Sequence, residues 1–370
     1  MRNGCVLIAT GSSGGHIYPA MAFAQSLQAR RPEIAIFFAT GPKALEREIL
    51  ASWPHEQVFR LHGRPWRRNR DLISAGFWLE WAKAMGSSWR LLERVSPRLT
   101  VGFGGYSVFG LVLLSSMRGI PTLIHEQNVE LGRANRLLSH LALTVALSFR
   151  NERLLSKAPE KYVFTGMPLR PDLGIRSREE ARGALGLDQG RRTLLIIGGS
   201  QGSRIMNACV AGLIESYGGR LSGHWQFIHL TGHEDHSRLE GIYKKSGLGY
   251  LVRSYEEDMS FLYSSADLVL SRAGSGTIFE CAYFKRPMIL VPHPRIQARQ
   301  QRNAEIVSAK GGGMILPEDD LSPQALFEAL EALRLPPDRL ERMARAMGEL
   351  SPREGNERLV SIALQKLGAP

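Results

Sequence analysis

The chain has 370 residues, of which 44% are hydrophobic and 22% are charged, so it can bury the cores of two domains and is too apolar to be disordered. Its three cysteines are far apart and odd in number, which favours a reducing compartment over a disulfide framework or a cysteine metal site. No apolar run approaches the roughly 18 residues of a membrane-spanning helix, and the first run is too short for a signal peptide. We therefore expect a cytoplasmic protein that does not cross a membrane.

The formal net charge of +12 is concentrated in the first half of the chain. Residues 1–165 hold 21 Lys and Arg against 11 Asp and Glu, whereas residues 166–370 hold 26 against 24. One half should therefore face an anionic partner, for which nucleic acid and an anionic lipid surface are both candidates.

Short apolar runs alternate with glycine loops and helical patterns along the chain. The run CVLIAT, residues 5–10, predicts a buried parallel strand, and the loop GSSGGH leads from it into a helix with apolar spacing from Ile17 to Leu27. IAIFFAT, residues 34–40, predicts the next strand. LTVGFGGYSVFGLVLLSSM again has a strand, glycines and a helix in that order, and IPTLIHEQN predicts a further strand with a polar end. This alternation predicts an α/β fold with parallel sheets and helices on both faces.

The segment FTGMPLRPDLG, residues 164–174, interrupts this order with two prolines and two glycines and predicts a linker. The order then restarts in RTLLIIGGSQGSRIMN, WQFIHLTG and ADLVLSRAGSGTIFECAYFKRPMILVPHP. We therefore predict two doubly wound domains, residues 1–165 and 166–349, with ligands at the carboxyl ends of their strands. The tail, about residues 350–370, predicts a helix that packs back on the first domain.

Four glycine loops lie where a strand leads into a helix, at residues 11–16, 102–106, 198–203 and 274–277. Glycine lets a ligand approach the backbone, and the N–H groups and dipole at a helix start favour phosphate. None of the loops has the Gly-Lys-Ser/Thr of a P-loop, and a sharp turn needs glycine with or without a ligand. Four such loops in two tandem halves nevertheless indicate a phosphorylated ligand between the domains.

Two titratable residues follow these loops, and each has two interpretations. His16 is a candidate base because the helix dipole disfavours the imidazolium, but position alone favours the alternative in which its ring only hydrogen-bonds its own loop. Glu280 could accept hydrogen bonds from a ribose diol or could form a capping box with Thr277. No Asp-x-Asp pair accompanies the loops, and HEDH at residues 233–236 lacks metal-ligand spacing, so we expect neither a metal site nor an obligatory Mg²⁺.

An arginine-rich segment precedes an apolar stripe in the first half of the chain. The stripe recurs every four residues, which is typical of a helix packed on a core. Indoles and arginines are also what the headgroup level of an anionic bilayer favours. The stripe consists of Ile73, Phe77, Trp81, Met85 and Trp89, and the predicted membrane contacts are Arg64, Arg67, Arg68, Arg70, Ile73, Phe77, Trp78 and Trp81.

Six motifs, in chain order, resemble those of the MurG family of peptidoglycan glycosyltransferases. They are TGSSGGHIYPA, VGFGGYSVFG, IHEQNVELGRANRLLS, TGMPLR, GGSQGSRIMN and SRAGSGTIFECAYFKRPMILVPHPRIQARQQRNAE. The resemblance implies the GT-B fold, in which two Rossmann-like domains face each other across a cleft. It also implies inverting transfer of N-acetylglucosamine from UDP-N-acetylglucosamine to the C4 hydroxyl of a polyprenyl-diphosphate-linked muramyl-pentapeptide. Such an enzyme is peripheral, at the cytoplasmic face of the bacterial inner membrane.

The resemblance further implies roles for individual residues. His16 matches the histidine proposed as general base, Asn128 would touch the sugar, and Arg170 and Ser200 would contact the diphosphate. A backbone group near Glu256 would meet the uracil edge, and Gln300 or Gln301 would read the sugar hydroxyls. The carboxylate of Glu280 would bind the ribose hydroxyls. The candidate donor-binding residues are Ser13, Gly14, Gly15, Asn128, Arg170, Ser200, Glu256, Ser275, Gly276, Thr277, Ile278, Phe279, Glu280 and Gln300. Additional candidates are Gln301, Gly104, Gly105 and Tyr106.

Some positions depart from the family pattern, and three other classes of protein are rivals. Ser12 and Ser13 stand where Gly-Thr is usual, GMPLR replaces Gly-Asn-Pro-x-Arg, and Arg299 stands where His is frequent.

The rival classes are another GT-B enzyme (a glycolipid glycosyltransferase or a UDP-N-acetylglucosamine epimerase), a basic nucleic-acid-binding protein and an NAD-dependent dehydrogenase. The helical spacing of the aromatics argues against nucleic acid, and the lack of a clean Gly-x-Gly-x-x-Gly argues against NAD. We expect no nucleic-acid partner and no obligatory cofactor beyond the nucleotide-sugar substrate.

Overall fold

The chain forms two compact units in its computed structural model. The structure describes residues 4–11, 13–42, 44–61, 75–199, 202–293, 297–336 and 338–368. Residues 1–171 and 352–370 belong to the first unit, and residues 172–351 form the second. Each unit is built around a parallel sheet with helices beside it, so the predicted α/β class is confirmed.

Within the described residues, the first unit is built on a seven-stranded parallel sheet. Its strands are β1 Cys5–Ala9, β2 Ala35–Thr40, β3 Val58–Arg60, β4 Leu99–Gly102, β5 Thr122–Glu126, β6 Thr144–Leu147 and β7 Tyr162–Phe164. Val6, Leu7 and Ile8 of β1 have no exposed surface, as expected of a parallel strand covered on both faces. The order β3-β2-β1-β4-β5-β6-β7 reverses between β1 and β4, which is the point where such folds bind ligands.

Helices cover both faces of this first sheet. Phe23 and Leu27 of α1 lie in one core, whereas Leu91 of α3, Leu111 of α4 and Leu138 of α5 lie in the core on the other face. The apolar spacing of each helix decides which of its sides turns to the sheet, and the crossover it belongs to decides which face of the sheet it covers. The helices are α1 Gly14–Arg30, α2 Ala44–Ile49, α3 Ala75–Val95, α4 Phe109–Met117, α5 Arg133–Leu138 and α6 Glu152–Lys157.

The second unit repeats this plan with a six-stranded sheet in the described part of the chain. Its strands are β8 Arg192–Ile197, β9 Trp225–Leu230, β10 Gly249–Arg253, β11 Leu268–Ser271, β12 Met288–Leu290 and β13 Gly313–Ile315. All are parallel in the order β10-β9-β8-β11-β12-β13, so this sheet reverses between β8 and β11. Its helices are α7 Arg178–Ala184, α8 Arg204–Leu221, α9 His236–Ser246, α10 Ser260–Ser265, α11 Ser275–Tyr283, α12 Gln297–Ala309, α13 Pro323–Arg334 and α14 Arg339–Gly348.

The last helix, α15 Gly355–Gly368, belongs to the first unit and packs against α1. Gly355 lies so close to the segment after β7 that a Cβ there would be 2.4 Å from the carbonyl oxygen of Met167. Beside it, the Asn356 side-chain amide donates to the carbonyl of Leu169 at 2.7 Å. The returning segment thus holds the backbone up to Leu169, which explains why the first unit extends to Pro171, past the predicted boundary at residue 165.

We predict that Gly355→Ala destabilises the protein by about 1–3 kcal/mol, because the added methyl group meets backbone atoms that cannot move aside as a flexible side chain would. Urea denaturation followed by tryptophan fluorescence measures the change. Gly86→Ala in α3 is the matched control, since no atom lies within 4 Å of a Cβ there and alanine favours helix. Equal stability of the two variants would contradict the tight contact.

Candidate active site

Two glycine loops touch at the reversal point of the first sheet. The loop after β1 contains Gly11, and the loop after β4 contains Gly104 and Gly105. A Cβ on Gly105 would lie 2.3 Å from the Gly11 Cα, and Gly105 also has a φ of +102°, which L side chains rarely adopt. Contact between the two backbones therefore requires glycine on both sides, and it fixes the second loop against the start of α1.

The ring of His16 lies against the second of these loops. His16 is in the first turn of α1, and its Nδ1 is 2.7 Å from the hydroxyl of Ser13, the residue that precedes the helix. A Cβ on Gly104 would be 3.3 Å from both Nε2 and Cδ2 of the ring. The contact with its own loop, one of the two interpretations of His16, is therefore present. Nδ1 faces Ser13, and the Nε2 edge faces the loop that contains Gly104. The role of His16 as a base stays a prediction.

A buried polar cluster at the end of β5 supports this region. His125 has no exposed surface, and its ring nitrogens contact the Ser148 hydroxyl at 3.2 Å and the Gln127 amide at 3.2 Å. The pKa of His125 is lowered to about 4: burial is the largest cause, a hydrogen bond to the Gly166 carbonyl partly opposes it, and nearby His16 lowers the pKa further. His125 is therefore a neutral structural group near pH 7.

The next residue, Glu126, binds the loop that follows β5. One carboxylate oxygen accepts from the backbone N–H and the side-chain amide of Asn128, both at 3.1 Å. The other accepts from the Gly132 N–H at 2.8 Å and the Asn135 amide at 2.9 Å. Sequence analysis did not single out Glu126 or Asn135, although a carboxylate at the end of a buried strand was a signal that could have done so.

Other candidates of the first unit lie around these loops. The guanidinium of Arg170 lies over the ring of Tyr18 on α1, 5.6 Å from its centroid. Gly14 and Gly15 form the first residues of α1, and Tyr106 is 40% exposed in the loop after β4. The first unit thus gathers Ser13 to His16, the Gly104 loop, Asn128 and Arg170 around α1 and the ends of β4 and β5.

In the second unit, α11 begins at Ser275 with Gly274 before it, and no side chain caps it. Thr277 is then already the third helical residue and Glu280 the sixth, so the capping-box interpretation of these two residues is wrong. Instead, Glu280 accepts a hydrogen bond of 2.7 Å from the hydroxyl of buried Tyr263. This bond orients the carboxylate predicted to bind ribose, and the ribose role itself stays a prediction.

The remaining residues of this helix start divide by burial. Ile278 and Phe279 are 0% and 2% exposed, and the Ile278 N–H donates to the Gly274 carbonyl, so both residues form the packed side of the helix start and their direct contact with a ligand stays a prediction. Gly276 and Thr277 are half-buried, while Ser275 is buried at the first position of the helix. Beside α11, the N-terminal residue before α8, Ser203, receives a hydrogen bond of 3.0 Å from Arg272. The two helix starts thus flank the reversal between β8 and β11.

The two glutamines and Glu256 each have a partner within the second unit. Gln300 accepts from the His293 backbone N–H at 2.9 Å, whereas the Gln301 amide donates to Glu305 at 3.2 Å. Gln300 is therefore tied to the loop after β12, and Gln301 to its own helix. The Glu256 carboxylate pairs with Arg253 and accepts from two following backbone N–H groups. The choice between the glutamines stays open.

The exposed face of α3 holds aromatic side chains. Positions four residues apart turn about 40° beyond a full helical turn at each step, so the stripe spirals from the core to the surface. Phe77 is 5% exposed, Trp81 37% and Trp89 48%. Phe77, predicted as a membrane contact, is thus buried and packs within the unit. Trp78 is 49% exposed and meets Trp81 edge to face at 5.8 Å. None of the described helices, α3 included, is long and apolar enough to cross a membrane.

Some predicted residues lie outside the described part of the chain. They are Ser200, Arg64, Arg67, Arg68, Arg70 and Ile73. Within the described ranges, no group of three or more His, Cys, Asp or Glu side chains has an arrangement that could hold a metal ion. The absence of obligatory metal from the reaction remains an expectation.

Comparison with known proteins identifies relatives over nearly the whole chain. Residues 6–147 match the glycosyltransferase family 28 N-terminal domain, and residues 193–359 match the C-terminal domain of that family. The chain is 33% identical to the UDP-N-acetylglucosamine–N-acetylmuramyl-(pentapeptide) pyrophosphoryl-undecaprenol N-acetylglucosamine transferase of Nocardioides sp., over 97% of each chain. It is 31% identical to the transferase of the same name from Desulforudis audaxviator, over 98% of each. The crystal structure of Acinetobacter baumannii MurG is similar in fold, with a TM-score of 0.78, 24% identity and coverage of 98% of this chain and 99% of that one.

Buried neutral histidines make the stability of both units depend on pH. Burial lowers the pKa of His125 to about 4 and that of His229 in the second unit to about 3. In the unfolded chain a histidine binds a proton below about pH 6.5, whereas these two folded-state histidines stay neutral. The free energy of unfolding should therefore fall as the pH drops from about 6.5 toward 4. Each histidine contributes on the order of 1 kcal/mol per pH unit in that window. We predict that His229→Gln flattens this dependence in urea denaturation at pH 7, 6 and 5, and an unchanged slope would refute it.

Proposed function

Since the chain belongs to glycosyltransferase family 28 and, within it, to the MurG family, we propose that it transfers N-acetylglucosamine from UDP-N-acetylglucosamine to lipid-linked N-acetylmuramyl-pentapeptide, converting lipid I to lipid II. The observation that carries the proposal is the match to transferases of that name over 97% of the chain. The enzyme is a hexosyltransferase of peptidoglycan synthesis, and therefore of cell-wall biogenesis, cell shape and cell division. Neither another GT-B activity nor nucleic-acid binding is favoured by these relatives.

The reaction needs a base, because a sugar hydroxyl is a weak nucleophile at neutral pH. His16 takes the proton of the acceptor C4 hydroxyl on Nε2 while that oxygen attacks the anomeric carbon of the donor. The bond from this carbon to the diphosphate oxygen breaks, and its electron pair leaves with UDP. Displacement in line inverts the anomeric centre and gives a β-linked product without a covalent enzyme intermediate. In this role the Nδ1–H of His16 donates to the Ser13 hydroxyl across the 2.7 Å contact, which leaves the lone pair of the neutral ring on Nε2.

The departing UDP gains charge, and each unit supplies groups suited to stabilise it. In the second unit these are the start of α11, where no side chain caps the helix, and Ser200, which precedes α8 in the sequence and lies outside the described residues. In the first unit Arg170 supplies a guanidinium beside α1. Glu280 binds the ribose hydroxyls with its carboxylate oriented by Tyr263. These groups can neutralise a diphosphate without an obligatory cofactor.

We also propose that the first unit binds an anionic membrane surface at the cytoplasmic face of the inner membrane. The acceptor is carried on a polyprenyl diphosphate, so the enzyme must meet it at the bilayer. Exposed Trp78 and Trp81 provide indoles for the headgroup level, and the arginines of residues 64–70, which precede them in the sequence, provide positive charge. The excess of basic residues over residues 1–165 fits the same partner better than nucleic acid, for which the chain carries no recognised motif.

Turnover of labelled UDP-N-acetylglucosamine with a short-chain lipid-linked muramyl-peptide tests the proposed reaction. We expect His16→Ala to lower kcat by about 10²- to 10⁴-fold, since it removes the base, while binding of UDP-N-acetylglucosamine persists. His55→Ala, which changes an exposed histidine of the same unit, serves as the control and should keep wild-type kcat. Near-normal turnover by His16→Ala would remove this residue from the role of base, and no turnover by the wild type would refute the function.

Vesicle sedimentation tests the membrane surface. Trp78→Ser combined with Trp81→Ser should weaken binding to phosphatidylglycerol-containing vesicles roughly tenfold or more, because each indole contributes on the order of 1 kcal/mol at the interface. Charge reversal at Arg67 and Arg68 should weaken vesicle binding to a similar extent. The difference between this variant and the wild type should become smaller as the salt concentration rises. Leu335→Ser is the control, since Leu335 is 56% exposed in the second unit. Unchanged vesicle binding by the tryptophan variant would show that α3 is an ordinary solvated helix.

A further inference from the structure

Glu126 is a buried acid that the proposed reaction does not use. Its side chain is 2% exposed at the end of β5, one strand from the reversal point of the first sheet. The carboxylate accepts four hydrogen bonds of 2.8 to 3.1 Å, two on each oxygen. All four donors are neutral amides, and they come from Asn128, Gly132 and Asn135. A charge that is taken out of water and hydrogen-bonded in this way holds its donors firmly, because each bond is charge-assisted.

The four bonds fix the loop between β5 and α5 at both ends. At its start, Asn128 gives its backbone N–H and its side-chain amide to the same oxygen of Glu126. The Asn128 amide therefore cannot rotate about either side-chain torsion without losing a bond. At the far end, Gly132 precedes α5, and Asn135 lies in the first turn of that helix.

Asn135 extends this arrangement to the neighbouring loop. Its amide nitrogen would be 3.6 Å from a Cβ on Gly104, the residue that the His16 ring also approaches. The same nitrogen donates to the His125 carbonyl at 3.2 Å. One carboxylate therefore orders both the loop that carries Asn128 and the helix start beside the Gly104 loop.

We propose that Glu126 is a positioning residue for the donor sugar, acting through Asn128. It holds the Asn128 amide in the single orientation in which it meets a hydroxyl or acetamido group of the N-acetylhexosamine. This inference rests on the proposed function, in which Asn128 contacts the sugar. It assigns to Glu126 an effect on donor use that a general contribution to stability would not produce.

A double-mutant cycle separates positioning from stability. In Glu126→Gln, whichever way the amide turns, an NH₂ group faces two donors and half of the interaction is lost. We expect kcat/KM for UDP-N-acetylglucosamine to fall about 10- to 30-fold in Glu126→Gln. If Glu126 acts through Asn128, the double variant with Asn128→Ala should be within about twofold of Asn128→Ala alone. If the loss of kcat/KM in the double variant instead equals the product of the losses in the two single variants, the proposal is overturned.

The matched control is Glu46→Gln in the same unit. Glu46 is 1% exposed and accepts from the Gly41 backbone N–H at 3.1 Å, so it too is a buried carboxylate that binds a loop. Its variant should lose thermal stability, yet it should show no coupling with Asn128→Ala in kcat/KM. Coupling as strong as that of Glu126 would mean that any loss of stability gives the effect, and would overturn the proposal.

A milder variant keeps the test decisive if Glu126→Gln does not fold. Asn135→Ala removes one of the four donors, and we expect a smaller loss of kcat/KM that again does not multiply with that of Asn128→Ala. Full activity of Asn128→Ala would overturn the inference while wild-type turnover still supported the transfer reaction. Absence of wild-type turnover would instead refute the proposed function, so the two failures are distinguishable.

Discussion

Each sheet reverses its strand order once, and this constraint decides where the chain can gather functional groups. At the reversal, two adjacent parallel strands send their crossovers to opposite sides, which leaves room beyond their carboxyl ends. In the first unit the loops that leave β1 and β4 meet there through Gly11 and Gly105, and the same contact sets Gly104 beside His16. In the second unit the reversal lies between β8 and β11, where Arg272 links the two loops through Ser203.

In both units a buried histidine with carboxylate or amide partners lies near the carboxyl ends of the strands. In the second unit, Asn207 on α8 accepts from His229 at 3.1 Å and donates to the Thr231 carbonyl and to Asp235, each at 2.8 Å. These bonds tie α8 to the loop after β9, much as Glu126 ties α5 to the loop after β5. A buried polar cluster specifies one loop conformation more strictly than apolar packing does, because each lost bond leaves a further buried group unsatisfied. Rigid loops of this kind suit binding of a flexible nucleotide sugar.

The long strands, the helices after the glycine loops and the α/β class could be predicted because apolar runs and turns mark them locally. Strands of three residues, such as β7 and β13, have no pattern of their own and are defined only by pairing with a neighbour. The spacing of Thr277 and Glu280 fits a capping box, but the turn after β11 starts the helix at Ser275, and the box is lost. The part played by Glu126 could not be predicted, since its donors reach it only when the loop folds back. The family motifs supplied the candidate contacts, which the fold alone does not assign.

The return of α15 to the first unit has a consequence for biosynthesis. Leu359 and Val360 belong to the same apolar core as Ile8 and Phe23, at the opposite end of the chain. A ribosome must therefore translate the entire second unit before the first can close its core, and this contact order delays the earlier half relative to the later one. Until α15 is made, the nascent first unit leaves exposed the apolar surface that Leu359 and Val360 later cover, and chaperones that recognise hydrophobic surface can bind it during that interval.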